Sequence, residues 1–227
     1  MNFYWAGLIR IFAVFIKDLQ IEFKNRYSLT TVILFTLVST TIVNFSIPTS
    51  FIERPIYAGI LWIVIFFAST TGMIRSFISE EEKGTVLLLR LLSNPYDVFF
   101  GKFVFNLFIS FVVNITAIFL FLIFFDKIKI NHFPLFVLTM LNSGICIAGC
   151  STIIGAIVAK ANVKGALFPI LSLPILIPVL MVGIEATQFS IMGRSPGMVL
   201  QNNVMIFGYT GLLITLSSLM FEFVWKE

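Results

Sequence analysis

The chain has 227 residues, of which 59% are hydrophobic and only 11% are charged, and its mean hydropathy is +1.03. A soluble domain carries roughly 25% charged residues, so the composition excludes a soluble protein and predicts an all-α integral membrane protein. Spans of about 20 residues each would take up most of the chain, which predicts one membrane domain over residues 1–227. The net charge of +4 comes from basic residues beside the apolar runs, which are expected to orient the chain in the bilayer rather than to bind nucleic acid.

The N-terminal segment, residues 1–26, is predicted to be an amphipathic helix lying in the plane of the membrane. Its charged residues make a span too costly. At about 100° per residue, one face is apolar and the other polar. The apolar face holds Trp5, Leu8, Ile9, Phe12, Phe15, Ile16, Leu19 and Phe23, and the polar face holds Arg10, Lys17, Asp18, Lys24 and Asn25. Such a helix binds membrane lipid through its apolar face, and its wet face suits an anionic leaflet or a cytoplasmic partner.

Six apolar runs follow, and each is predicted to cross the membrane as a helix. They cover residues 27–52, 55–74, 103–125, 133–159, 165–184 and about 203–221. The connections are predicted to be a short loop over 48–55, a charged turn over 126–132, a basic loop over 160–164, and a longer outer loop over 185–203 that could dip into the membrane. Pro169, Pro174 and Pro178 are expected to kink or loosen the fifth span.

Six spans place both termini on one side, and the basic residues indicate which side that is. Cytoplasmic segments carry the excess of Lys and Arg. Of the 15 such residues, all but Arg54, Lys127, Lys129 and Arg194 fall on the side of the N-terminus. The prediction is a multi-pass membrane protein with both termini in the cytoplasm.

A charged stretch over residues 79–102, SEEEKGTVLLLRLLSNPYDVFFGK, separates the second and third spans. Ser79 and Glu82 have the spacing of a capping box, which predicts a helix start at Ser79. Asn94, Pro95 and Asp97 then predict the start of a second helix. The stretch is therefore predicted to be a cytoplasmic helical hairpin, with leucines facing headgroups or a partner and with Glu80, Glu81, Glu82, Lys83 and Arg90 facing water. The alternative is a solvated connector with no further role.

Catalytic and cofactor motifs are absent from the sequence. There is no P-loop, so nucleotide energy has to come from a partner, and there is no H-E-x-x-H. The single histidine, His132, lies in an outer turn, where it either anchors a span end or ligates haem iron. Cys146 and Cys150 fall among small residues of the fourth span and are expected to pack rather than react. Glu185, at the outer end of the fifth span, is either solvated there or functional.

The order and spacing of these features resemble the CcmB family, the haem exporter B permeases of cytochrome c maturation. The resemblance covers the amphipathic helix, the six spans, the hairpin EEEKGTVLLLRLLSNP, and Gly101-Lys102 at the start of the third span. The small-residue fourth span and the proline-rich fifth span, LFPILSLPILIPVL, are similar in character. This chain departs from the family in having Leu88-Leu89-Arg90 where acidic residues are more common.

The resemblance implies the permease subunit of an ABC transporter with ABC-2-type architecture, located in the bacterial inner membrane. It further implies a homodimer that docks a separate cytoplasmic ATPase and works beside a haem-handling membrane protein and an outer haem chaperone. Haem is then a cargo rather than a bound cofactor.

The hypothetical ATPase-coupling residues are Glu80, Glu81, Glu82, Gly84, Arg90 and Pro95, and the outer-side candidates are Glu185 and His132. The alternatives are another ABC-2-type exporter, for lipid, polysaccharide or drug, and a membrane scaffold without transport.

Overall fold

Helices make up nearly all of the structure, a computed structural model that describes residues 2–46, 54–125, 129–161 and 164–226. In these ranges the chain forms nine α-helices and no strand. They are α1 (Asn2–Asn25), α2 (Tyr27–Ser46), α3 (Arg54–Met73), α4 (Arg75–Glu82), α5 (Val86–Leu92), α6 (Pro95–Phe124), α7 (Phe133–Ala159), α8 (Lys164–Met192) and α9 (Pro196–Lys226).

Within the described ranges, six stretches are long and apolar enough to cross a membrane: α2, α3 together with α4, α6, α7, α8 and α9. The predicted all-α membrane fold with six spans is therefore confirmed. α1 is not among the six, in agreement with its expected place outside the set of spans.

α7 lies at the centre of the bundle, with 83% of its apolar stretch buried, and it packs against α6, α8 and α9. Its small residues allow this close approach. A Cβ added at Gly149 would lie 2.9 Å from the side chain of Ile214 on α9. Cys146 and Cys150 are free thiols buried in the same helix, which confirms that they pack in the core.

Some of the predicted span limits agree closely with the limits of the helices. α3 and α7 match the predicted 55–74 and 133–159 to within a residue. α6 is longer than predicted, because Pro95 starts a helix that runs without interruption into the third span. Parts of three predicted segments lie outside the described residues. They are the end of the first span with residues 48–53 of the following loop, residues 126–128 of the charged turn, and residues 162–163 of the basic loop.

The predicted outer loop over 185–203 is wrong. α8 continues to Met192 and α9 already begins at Pro196, so only three residues connect them. Gly193 has a φ of 72°, a left-handed conformation that favours glycine. Its ideal Cβ would lie 2.8 Å from the Asn131 side chain. Gly193 and Pro196 thus mark a tight turn between two helices rather than a long loop.

α8 stays a single helix through its three prolines. Each proline removes one backbone donor, and neighbouring hydroxyls bond to nearby carbonyl groups, as is usual for prolines inside membrane helices. The Tyr209 hydroxyl of α9 donates to the Ile175 carbonyl at 2.7 Å, one turn before Pro178. The Ser172 hydroxyl donates to the Pro169 carbonyl at 3.2 Å.

Candidate functional site

The hairpin between α3 and α6 is built from α4 and α5, which differ in their limits from the prediction. α4 begins at Arg75, so Ser79 lies inside it and caps nothing; the predicted capping box is wrong. The helix ends in a Schellman motif, in which the Thr85 N–H bonds to the Glu80 carbonyl at 3.0 Å and the Gly84 N–H bonds to the Glu81 carbonyl at 3.1 Å. Gly84 has the φ of 67° that this motif requires. Gly84 therefore marks the end of α4, and it indicates a helix limit more reliably here than the spacing of Ser79 and Glu82 does.

α5 is a helix of seven residues with an apolar exposed surface. Leu87, Leu88, Leu91 and Leu92 are between 59% and 84% exposed. Ser93 and Asn94 then break the chain, and Pro95 occupies the first turn of α6 with Asp97 behind it, as predicted. Asn94 takes the N-cap position with extended backbone, but its side chain makes no capping hydrogen bond.

The acidic run of the hairpin divides into exposed and buried residues. Glu81, Glu82 and Lys83 are exposed, as predicted. Glu80 is only 4% exposed, which contradicts its predicted place in water. Arg90 is also not fully in water: it is half-buried, and its guanidinium carbon lies 5.5 Å from the ring centre of Trp225 on α9.

Glu80 belongs to a cluster of four charged residues, Lys17, Asp18, Glu80 and Lys102, which we call the ion cluster. Lys102 has no exposed surface, and its Nζ lies 2.7 Å from Glu80 Oε1 and 2.9 Å from Asp18 Oδ2. Lys17 pairs with Glu80 and lies 3.2 Å from Asp18. Two cations therefore neutralise two carboxylates. A buried pair of this kind makes each member depend on the others, because removing one leaves an uncompensated charge.

Lys17 is the most exposed member of the ion cluster, and its pKa is raised. Burial acts most strongly and lowers the pKa, but the charges of Asp18 and Glu80 and their hydrogen bonds together outweigh it. Lys17 is consequently charged under physiological conditions and holds α1 against α4.

Part of the polar face of α1 packs against the bundle, which corrects the prediction that the whole face is wet; Lys24 and Asn25 are exposed, as predicted. Asp18 and Glu22 are buried, and Arg10 pairs with Asp97 at the start of α6. Glu22 accepts a hydrogen bond from the Leu29 N–H at 2.8 Å and so fixes the junction with α2. A Cβ at Gly101 would lie 2.6 Å from that of Val14, which shows how closely α1 and α6 approach.

The apolar face of α1 is exposed, as expected of a helix whose apolar face contacts lipid. Its exposed residues include Leu8, Ile9, Phe12, Ile16 and Phe23. The predicted member Trp5 lies among the residues whose side chains are not described. The helix is amphipathic in the predicted sense, but its charges hold it to the protein while its apolar residues face outward.

Aromatic side chains anchor the base of the hairpin. Phe77 of α4 is buried, and its ring centre lies 5.8 Å from that of Phe221 and 6.4 Å from that of Trp225. The Lys102 ammonium lies 5.2 Å from the Phe77 ring centre. α4 is thereby fixed to α6 and α9, whereas four leucines of α5 are exposed.

A buried polar stripe on α6, not predicted from the sequence, continues from the ion cluster into the bundle. Lys102, Asn106, Ser110 and Asn114 recur every four residues and are all buried. Asn106 donates to Thr152 at 3.0 Å, Ser110 to the Gly144 carbonyl at 3.0 Å and Asn114 to the Met140 carbonyl at 3.1 Å. The signal was present as polar residues at helical spacing in an apolar run, which typically bond across a helix pair. The stripe joins α6 to α7.

The two outer-side candidates, Glu185 and His132, lie on different helices and do not bond to each other. Glu185 is exposed on α8, where Asn202 Nδ2 donates to its Oε2 at 3.4 Å. His132 is the N-cap residue of α7 without a side-chain cap, and its backbone N–H donates to the Ser190 carbonyl at 3.1 Å. Among the described residues, no three His, Cys, Asp or Glu side chains come together as metal ligands.

Six spans, a helix held outside them and a helical hairpin between the second and third spans define the class: a multi-pass, all-α membrane protein. The family model described as CcmB protein matches residues 9–220, which include most of α1 and all of α2 through α8. The chain belongs to the CcmB family. Membership makes it a membrane component of a haem exporter ABC system of cytochrome c maturation in the inner membrane. No curated protein matches the chain.

Proposed function

We propose that this chain is the permease through which a separate cytoplasmic ATPase drives haem delivery or release for cytochrome c maturation. The α4–α5 hairpin is the proposed coupling element. The observation that carries this proposal is the contrast within the hairpin: α5 exposes four leucines, while α4 is held by the buried ion cluster. The exposed leucines of α5 are available to a partner, and α4 is tied to the membrane helices.

The surface of α5 suits a protein partner. Its exposed leucines are flanked by Glu81, Glu82 and Lys83, which are exposed as well. An apolar centre with a polar rim is the usual composition of a protein interface. Leu87, Leu88, Leu91 and Leu92 would supply the apolar contact, and the flanking charges would set its orientation.

The ion cluster supports a coupling role for the hairpin. Coupling requires a rigid element whose position both partners bias. A displacement of α4 moves Glu80, which is bonded to Lys102 of α6, and the polar stripe of α6 is bonded in turn to α7. Docking at α5 would thus be transmitted to the central helices without a loose connection.

The other partners follow from the family. Two copies of this chain would bind two ATPase subunits, with a haem-handling membrane protein and a haem chaperone acting on the outer side. In this proposal the hairpin and both termini lie in the cytoplasm, which the excess of Lys and Arg on that side supports. Haem is a cargo in this proposal, and no residue is assigned to it as a ligand.

The test is co-purification of the ATPase subunit with variants of α5 in the full chain. Leu88→Asp and Leu91→Asp should reduce recovery of the ATPase and the yield of holocytochrome, while the abundance of the permease is unchanged because both side chains are exposed. Leu88→Met and Leu91→Met are the matched controls and should bind normally. Normal ATPase recovery with both aspartate variants would exclude α5 as the docking surface.

Two further strains, one with an inactive ATPase and one without this chain, separate the two alternatives. A scaffold without transport predicts unchanged haem attachment to cytochrome c when the ATPase is inactive. An exporter of lipid, polysaccharide or drug predicts that loss of this chain leaves holocytochrome intact. The proposed function predicts loss of holocytochrome in both cases.

A further inference from the structure

A cleft of about 390 Å³ lies beside the hairpin, between the start of α2, the α3–α4 junction and the start of α8. We call it the Arg75 cleft. The residues that matter for its chemistry are Tyr27, Phe67, Arg75, Glu82 and Pro169. None of them belongs to the ion cluster, and of these five only Glu82 also belongs to the proposed coupling surface.

Arg75 is an exposed cation with no carboxylate partner in the described part of the chain. Its guanidinium carbon lies 3.8 Å from the ring centre of Tyr27, and the ion pairs of the described residues do not include it. Stacking on Tyr27 holds the plane of the guanidinium but uses none of its N–H donors. Those donors form a fork that matches the oxygen atoms of a phosphate group.

The position of Arg75 corresponds to the headgroup level of a membrane. It follows the end of α3 by two residues, and Tyr27 is the first residue of α2. Tyrosine and basic residues at the ends of spans typically lie at the membrane–water interface. Glu82, seven residues further along α4, lies about 10 Å beyond Arg75 at 1.5 Å per residue, on the side of water.

The opposite part of the cleft is mostly apolar, because Thr70 and Thr71, which also line it, donate their hydroxyls to the Phe67 carbonyl. Phe67 precedes Arg75 by eight residues, about 12 Å toward the middle of the span, and Pro169 of α8 lies across the cleft. The lining thus changes from an unpaired guanidinium to apolar side chains in the direction in which a phospholipid changes from phosphate to acyl chain. Free phosphate would use only the first part of it.

We infer that the Arg75 cleft binds an anionic phospholipid. The guanidinium of Arg75 holds the phosphate, and an acyl chain lies along Phe67 and Pro169. An anionic lipid is favoured over a zwitterionic one because Arg75 has no counter-ion of its own. The site borders α4, so this lipid would be a neighbour of the coupling hairpin.

The test is native mass spectrometry of the purified, delipidated full-length protein titrated with phosphatidylglycerol. Arg75→Ala should weaken phosphatidylglycerol binding about fivefold, the equivalent of about 1 kcal/mol for one basic residue at a charged lipid. Arg194→Ala is a matched control, because Arg194 also stacks on an aromatic ring, that of Phe189 at 5.1 Å, but lies at the other end of α8. It should bind phosphatidylglycerol as the unaltered protein does.

Two further measurements keep the inference testable if Arg75→Ala does not fold. The unaltered protein should bind phosphatidylglycerol more tightly than phosphatidylcholine, and Arg75→Lys should keep part of that preference. Equal affinity for the two lipids, or equal losses in Arg75→Ala and Arg194→Ala, would overturn the inference. So would inorganic phosphate that competes fully with phosphatidylglycerol, since the site would then take phosphate alone. ATPase co-purification is not expected to change with Arg75→Ala, so failure here leaves the proposed function standing.

Discussion

The Nζ of Lys102 lies 2.7 Å from Oε1 of Glu80, and neither side chain is accessible to a partner protein. The acidic run at residues 80–82 therefore contains two kinds of residue. Glu80 holds the hairpin to α6, whereas Glu81 and Glu82 are exposed. A coupling role for all three cannot be tested by one combined substitution, because the first would disturb the fold and the other two only the surface.

Lys102→Met should strongly destabilise the protein. It leaves Asp18 and Glu80 with Lys17 as their only cation in the ion cluster, and breaking a buried ion pair typically costs about 3–5 kcal/mol. The measurement is thermal unfolding in detergent together with abundance in the membrane. Lys83→Met, at an exposed lysine, is the control and should match the unaltered protein. Equal melting temperatures for the two variants would show that the ion cluster does not hold α1 and α4 in place.

Charge reversal should separate the exposed from the buried glutamates. Glu81→Lys with Glu82→Lys should lower ATPase recovery at normal permease abundance, because these side chains border the α5 leucines. Glu80→Lys should lower the abundance itself, since it would place three cations together with Asp18 alone. Immunoblotting of membranes and co-purification give the two readouts. A Glu80→Lys protein of normal abundance would contradict the structure of the ion cluster.

Cys146 and Cys150 should tolerate replacement by alanine. Both are fully buried in α7 as free thiols, and thiols in apolar surroundings are unreactive. The double variant should keep nearly normal holocytochrome yield, and the unaltered protein should not react with a thiol reagent until it is unfolded. A yield as low as that of a strain without this chain would assign the thiols a role that packing does not explain.

Lys24→Cys tests the proposed orientation better than substitutions at Arg10 or Lys17, because Lys24 is exposed while the other two are tied into ion pairs. In the background without Cys146 and Cys150, it should react with an impermeant thiol reagent only when the cytoplasmic side is open. Arg194→Cys, exposed at the other end of the bundle, should react from outside. The reverse pattern would invert the topology.

Much of the architecture was determined by local features of the sequence. Long apolar runs specify membrane helices because backbone groups in lipid have to bond within the helix. Pro95 and Gly84 mark a helix start and a helix end, since each suits one backbone conformation that few other residues adopt as readily. These signals act over one or two turns, so they can be recognised without knowledge of neighbouring helices.

Which charges are buried was decided by the tertiary structure alone. Glu80, Glu81 and Glu82 are identical residues in one run, but about 100° of helical rotation separates each from the next, and only Glu80 points at Lys102 of α6. From the sequence, the polar face of α1 is expected to face water. The packing of α1, α4 and α6 instead places Asp97, Glu80 and Lys102 opposite charged residues of that face. A charge is stable in such a place only beside its counter-ion. The counter-ion lies 63 residues away along the chain for Lys17 with Glu80 and 87 residues away for Arg10 with Asp97.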